Sequence, residues 1–184
     1  SESERGEALL ARVARAHVRG ALVPEGIMRT ICDTESPQGV VALGGRPRFE
    51  LDDALRGENP LVVALDGLQD PGNVGTVIRA AEAAGASGVV TTPGTAEVYG
   101  PKALRASMGS AFRLPIVRRI PIDLVSDEIG KLDGVVVGAV ADGSIAYTEF
   151  NWKRPTMVVI GNEGAGLSSD ALSSIAETVS IPLA

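Results

Sequence analysis

The stretch LVVALDGLQDPGNVGTVIRAAEAAG, residues 61–85, decides the fold class. Its first seven residues are a nearly continuous apolar run, the pattern of a strand buried on both faces. A polar turn follows. Residues 73–85 then place Val74, Val77, Ile78 and Ala81 on one helical face, with Asn73 expected as the N-cap and Gly85 as the stop. Strand, tight turn and helix form the unit of an open α/β sheet, and ligands settle in such turns at the carboxyl ends of the strands.

Outward from this unit the alternation continues. Strands are predicted at 88–92, 114–117, 134–140, 156–161 and 178–182, and helices at 101–111, 122–132 and 168–176, the last with a serine cap. Val/Ile-rich strands alternating with helices predict a parallel sheet with helices on both faces. The first sixty residues differ. A helix carrying Leu9, Leu10, Val13, His17 and Val18 leads into a segment interrupted by glycine and proline. Residues 1–43 read as part of a small N-terminal domain, 44–60 as a linker and 61–184 as the main domain. The last strand has no helix after it to cover one sheet face, so a further C-terminal segment is expected.

Composition narrows the chemistry. Hydrophobic residues make up 45% of the 184 residues, enough for a core, and no apolar run approaches the ~18 residues that cross a bilayer. The charged first residues hold no apolar leader segment, and a cytoplasmic protein is expected. One cysteine, Cys32, excludes an internal disulfide and a cysteine-built zinc cage. His17 is the only histidine and lies outside the α/β part, which argues against Ser-His-Asp and Cys-His catalysis. No P-loop pattern is present, and the cluster 161–166, GNEGAG, lacks the spacing of a dinucleotide loop. No carboxylate pair on adjacent strand ends suggests a metal. The chemistry left is one in which a cofactor supplies the reactive group.

Net charge is −6, yet residues 79–119 hold six basic side chains (Arg79, Lys102, Arg105, Arg113, Arg118, Arg119) against two acidic, Glu82 and Glu97. This segment is either scattered surface charge or a local positive surface for a polyanion. Two turns carry further information. In DPGNVG, 70–75, Pro71 and Gly72 make a turn. Arg79 follows Asn73 by almost two helical turns and can face the same sheet edge, or it is simply solvated. In VVIGNEGAGLSS, 158–169, three glycines surround Glu163 and let the backbone approach a ligand, unless they only shape a helix entry.

Together, DPGNVGTVIRAAEAAG, VVIGNEGAGLSS and VSIPLA resemble, in order and spacing, the three motifs of the SpoU (TrmH-like) branch of the SPOUT RNA methyltransferases, and PKALRASMGSAFRLPI between them is similar to that family too. The resemblance spans residues 61–184. The early TESPQGVVAL is similar to the end of the small L30e-like RNA-binding domain that precedes the catalytic domain in many members.

The resemblance implies a sheet whose C-terminal part is threaded into a trefoil knot, an exception to the usual absence of knots. It implies S-adenosylmethionine held by backbone at Ala139, Val140, Gly161, Ile181 and Leu183, without a metal. The implied reaction is methyl transfer to a ribose 2′-hydroxyl of RNA. Arg79, Asn73 and Glu163 are the implied catalytic-site residues, and Arg79, Lys102 and Arg105 would meet RNA. An arginine is a poor base, so Arg79 acts either on the hydroxyl with help from an RNA phosphate or as a phosphate clamp. A homodimer is implied. The N-terminal remnant favours 23S ribosomal RNA over tRNA; a tRNA enzyme and a catalytically silent RNA-binding protein are the alternatives.

Overall fold

The computed structural model describes residues 4–32 and 38–182, and the chain divides into two units, residues 1–45 and 46–184. In the first unit, α1 (Glu4–Arg15) and α2 (Glu25–Ile31) contain no buried residue. The first helix stops earlier than its apolar pattern. His17 takes a φ of 53°, and the amides of His17 and Val18 donate to the carbonyls of Ala14 and Val13, each at 3.2 Å. This is the left-handed closure usually built on glycine, so His17 and Val18 lie beyond the helix on which the pattern placed them. Part of the TESPQGVVAL segment lies outside the described residues.

The second unit is built on seven strands: β1 (Leu61–Leu65), β2 (Gly88–Thr91), β3 (Ile116–Val117), β4 (Val135–Ala139), β5 (Ile145–Ala146), β6 (Thr156–Ile160) and β7 (Glu177–Ser180). They form one sheet in the order β3-β2-β1-β6-β4-β7-β5, with every pairing parallel. Five helices accompany it: α3 (Leu51–Ala54), α4 (Pro71–Ala83), α5 (Pro101–Ser107), α6 (Ile122–Lys131) and α7 (Ser169–Ser174).

Alternation along β1 creates the two layers. Val63 and Leu65 pack with Val74, Ile78 and Ala81 of α4, while Val62 and Ala64 pack with Ile122, Val125 and Ile129 of α6 and Ala171 of α7. Each fully buried valine or isoleucine in these layers contributes roughly 1.5–3 kcal/mol. A Cβ on Gly75 would strike the carbonyl of Ala103, so only glycine there lets α5 lie this close to α4.

The expected α/β sheet is present, with local differences. The segment 44–60, expected as a linker, carries α3, whose Ala54 is fully buried against Gly88 at the start of β2. Leu51 and Leu55 also pack on the sheet, and the Glu50 amide donates to the Asp53 carboxylate at the helix start, 2.9 Å. The cap of α4 is Asp70, not Asn73: the Asp70 carboxylate accepts the Asn73 amide at 3.0 Å, and Pro71 opens the helix. Proline suits the first helical position because its φ is preset and no amide is needed there. The helix predicted over 101–111 breaks after Ser107, where Met108 and Gly109 take φ of 51° and 88° before a single turn, Ser110–Phe112. The two-residue β5 was not expected. Among the described residues no helix is long and apolar enough to cross a membrane, and no group of three or more His, Cys, Asp or Glu is placed to hold a metal.

Candidate active site at the carboxyl ends of the strands

Because all strands are parallel, their carboxyl ends share one edge of the sheet, and the adjacency of β1, β6, β4 and β7 sets four strand-end loops side by side. The register pairs Leu65 with Ile160, Ile160 with Ala139, and Ala139 with Val179. Asp66 and Gly67, Gly161, Val140 and Ile181 therefore begin the loops along this edge. Of the five residues expected at a cofactor, Ala139, Val140, Gly161 and Ile181 are brought together; Leu183 lies outside the described residues.

The β6–α7 loop is tight. Asn162 and Gly166 pair antiparallel, with amide-to-carbonyl distances of 2.8 and 2.9 Å, and the Asn162 side-chain oxygen accepts the amides of Gly164 and Ala165 at 2.9 and 2.8 Å. A Cβ on Gly161 would come within 2.5 Å of the Gly166 backbone, so the loop folds back over position 161 only because it is glycine. Three bonds tie this loop and the start of α7 to the β1–α4 turn. Asn162 Nδ2 donates to the Gly67 carbonyl at 2.9 Å, Asn73 Nδ2 donates to Glu163 Oε1 at 2.8 Å, and the Ser168 amide donates to Asp66 Oδ2 at 2.8 Å.

The electrostatics follow from these contacts. The Asn73 amide, followed by backbone amides of Glu163 and Gln69, holds the Glu163 carboxyl below its ordinary 4.5, against opposing pushes from desolvation and, less, from Asp70. Lys102 Nζ lies 2.6 Å from Asp70 Oδ2 and lowers the Asp70 carboxyl in the same way. Relieved of capping by Asp70, Asn73 has its side chain free for Glu163, ninety positions along the chain.

The basic segment divides. Lys102 pairs with Asp70, Arg113 grips Glu82 with two bonds of 2.5 and 2.7 Å, and Arg118 pairs with Glu97 at 3.2 Å. The side chains of Arg79 and Arg105 are exposed and make no hydrogen bond or ion pair with any described residue. Thus Asn73 and Glu163 meet, while no hydrogen bond or ion pair joins Arg79 to either. Asp66 and Asn162 were not singled out from the sequence. A carboxylate closing an otherwise apolar strand, and an asparagine between glycines, were the available signals.

The ends of β6, β4 and β7 stand side by side, so the main-chain groups of residues 139–140, 161 and 181 share this edge. Gly138, inside β4, makes room for the packing beside α7: a Cβ there would reach Ile175 and Leu167 at 2.9 and 3.1 Å. Adjacent strand ends of this kind suit a ligand recognised through main-chain groups.

Comparison with known proteins agrees with this geometry. The model of the SpoU rRNA Methylase family matches residues 60–184. A 23S rRNA (uridine(2479)-2′-O)-methyltransferase of Streptomyces viridochromogenes is 38% identical over 169 residues, covering 89% of this chain and 59% of the relative. The 23S rRNA (guanosine(2553)-2′-O)-methyltransferase RlmP of Bacillus subtilis is 36% identical, covering 88% of this chain and 63% of the relative. The chain thus spans about three-fifths of the length of these two relatives. Among solved structures, the SpoU methyltransferase AviRb of S. viridochromogenes, in complex with AdoMet, superposes with a TM-score of 0.82 at 36% identity, over 95% of this chain and 69% of that one. An AdoMet-bound rRNA methyltransferase of Sinorhizobium meliloti gives 0.82 at 34% identity, over 98% and 69%. With its three motif segments assembled on one sheet edge and the family match running from residue 60 to 184, the chain belongs to the SpoU rRNA methylase family.

Proposed function

We propose that this protein transfers a methyl group from S-adenosylmethionine to a ribose 2′-hydroxyl of RNA, with 23S ribosomal RNA as the substrate. The observation that carries the reading is the join between the two motif loops. Asn73 and Glu163 are hydrogen-bonded above the strand ends, with an unpaired arginine, Arg79, farther along the helix that presents Asn73. The two 2′-O-methyltransferase relatives act on 23S rRNA by name, which supports that substrate over tRNA.

When bound, the cofactor supplies a methyl group activated by a sulfonium, which leaves as a neutral thioether. The backbone of Ala139, Val140, Gly161 and Ile181, with Leu183, would hold it; the adjacent ends of β6, β4 and β7 fit a group gripped by main-chain atoms. What the chain contributes is position and charge. Methylation of the 2′-oxygen would require the hydroxyl proton to leave. Arg79 cannot accept that proton, because a guanidinium stays protonated up to ~12 and beyond. It clamps a neighbouring phosphate, keeps that phosphate beside the hydroxyl as the proton's route out, and offsets developing negative charge. Glu163, with its carboxyl held low, is a weak base at neutral pH and works by fixing Asn73. Arg105 adds a second free cation toward RNA, and Lys102 a weaker one because it also neutralises Asp70.

The domain reading stands with this proposal: residues 1–43 as part of an L30e-like RNA-binding module and 61–184 as the methyltransferase domain, in a cytoplasmic homodimer. Exposed Tyr147, Leu172 and Ile181 support a subunit contact near the site, since they are apolar surface a dimer would cover. The knot belongs to this reading: β6 lies between β1 and β4 and β7 between β4 and β5, so each is inserted between strands that precede it in the chain.

The test uses the intact protein, methyl-labelled S-adenosylmethionine, and unmodified rRNA and tRNA supplied separately, followed by digestion to nucleosides. Label on a ribose 2′-oxygen from rRNA is the expected result. Label from tRNA would keep the chemistry and overturn the substrate. RNA binding without cofactor binding or label would leave a silent RNA-binding protein.

A further inference from the structure

One buried ionisable group has no part in the chemistry above. Asp66 follows the last residue of β1 and is only 5% exposed, among apolar neighbours of the sheet. A carboxylate so placed is costly unless its oxygens are satisfied. Both are. Oδ2 accepts the Ser168 amide at 2.8 Å, and Oδ1 accepts the Thr92 hydroxyl at 3.0 Å. Each partner belongs to a different loop on the same sheet edge: Thr92 follows β2, and Ser168 ends the glycine-rich loop and caps α7 by accepting the Ala171 amide at 3.2 Å. The next residue extends the same knot of contacts, for the Gly67 amide lies 3.1 Å from both Thr92 Oγ1 and Thr95 Oγ1 and the Gly67 carbonyl receives Asn162.

We propose that Asp66 is a positioning residue for the cofactor loop: its carboxylate fixes the Ser168 end of the 161–168 loop to the β1 and β2 strand ends, and so preorganises the backbone that grips S-adenosylmethionine. The proposal rests on the function proposed above, since it takes Gly161 as part of the cofactor site. The physical reason is geometric. A loop with three glycines has large conformational freedom, which binding would otherwise have to remove. Asn162 anchors the front of the loop and Asp66 the back, so both ends are held before a ligand arrives. Arg79 and the RNA-facing side of α4 are not linked to Asp66 by any of these bonds.

The consequence is a selective one. Asp66→Ala leaves the Ser168 amide and the Thr92 hydroxyl without their partner and frees the loop end. Its dissociation constant for S-adenosylmethionine, measured by calorimetry without RNA, is expected to rise about tenfold, the effect of losing a hydrogen bond to a charged group. Asp66→Asn keeps one acceptor oxygen for the Ser168 amide and lets the Thr92 hydroxyl turn to accept, so affinity recovers to within a few-fold of the parent. The RNA dissociation constant stays unchanged in both variants. Hydrogen exchange on the cofactor-free protein supplies the second readout: in Asp66→Ala, exchange quickens in residues 161–168 while the strands keep their protection. If Asp66→Ala is too unstable to study, the Asn variant and Thr92→Val carry the same comparison, each expected to show a smaller loss confined to cofactor affinity. Unchanged cofactor affinity in the variants, or equal losses for cofactor and RNA, would overturn the proposal while leaving the function intact. A parent protein that binds no S-adenosylmethionine would overturn both.

Discussion

The strand-end loops and the outer face of α4 and α5 hold their polar groups in opposite ways. In the loops nearly every polar side chain has a partner: Asp66, Asn73, Thr92, Asn162 and Glu163 form bonds that join segments far apart in sequence, and the Ser168 hydroxyl caps α7. On the helices, Arg79 and Arg105 project without a hydrogen bond or ion pair to any described residue, while Lys102 is held by Asp70. Groups that bond within the protein hold geometry. A charged group left without an internal partner retains its full capacity for a ligand, and on an acidic chain two such arginines beside a closed loop site are best placed for a polyanion.

The largest effect that would break this contrast is on Arg79. Arg79→Ala is expected to lower methyl transfer by a factor of about 10² to 10³, the loss typical of one positioned charge stabiliser. Thermal unfolding should barely move, within about 0.5 kcal/mol, because the side chain holds nothing in the fold. A clear fall in stability would move Arg79 to the structural side. Asn73→Ala gives a middle-sized effect. It cuts the bond to Glu163, and the turnover rate should drop roughly tenfold, in line with loss of one hydrogen bond to a charged group. The Glu163 carboxyl should also move back up toward 4.5, since its largest lowering cause is gone, and carboxyl NMR would follow that shift.

The smallest effect separates a cation bound to its own protein from the free ones. Arg113 holds the Glu82 carboxyl down to about 2 from its ordinary 4.5. A carboxyl lowered by folding stabilises the folded state fully above its unfolded value and loses that contribution as pH falls toward the folded one. Acid unfolding between about pH 4.5 and 2 should therefore be less pH-dependent in Glu82→Gln than in the parent. The change is small because the pair lies at the surface, Arg113 exposed and Glu82 partly so, and methyl transfer at neutral pH should not alter.

Much of the frame was legible because parallel strands buried on both faces are written as unbroken apolar runs: LVVAL and TMVVI are such runs, and they became neighbouring strands. Elements too short to show a period were not legible. Ile145–Ala146 pairs as a strand through its neighbour β7, and Leu51–Ala54 turns as a helix through its packing on the sheet and a capping bond at its start. The Asn73 cap was misread because the Asp-Pro pair already marked the helix start three residues earlier. Asn73, Arg79 and Glu163 stood out in their turns, and their roles came from the resemblance of the motifs; that Asn73 bonds to Glu163 needed the adjacency of β1 and β6, which no local pattern contains. Asp66 was missed because a lone acidic residue after a strand usually faces water, and only the sheet order places two loops over it.

The contrast between free and held cations is tested most directly by the salt dependence of RNA binding. Each cation that neutralises a phosphate of single-stranded RNA contributes about 0.7 to the slope of log affinity against log salt. The slope should become shallower by about that amount in Arg79→Ala and in Arg105→Ala, and by clearly less in Lys102→Ala, whose charge is shared with Asp70. An unchanged slope in Arg79→Ala, or a larger change in Lys102→Ala, would contradict the account.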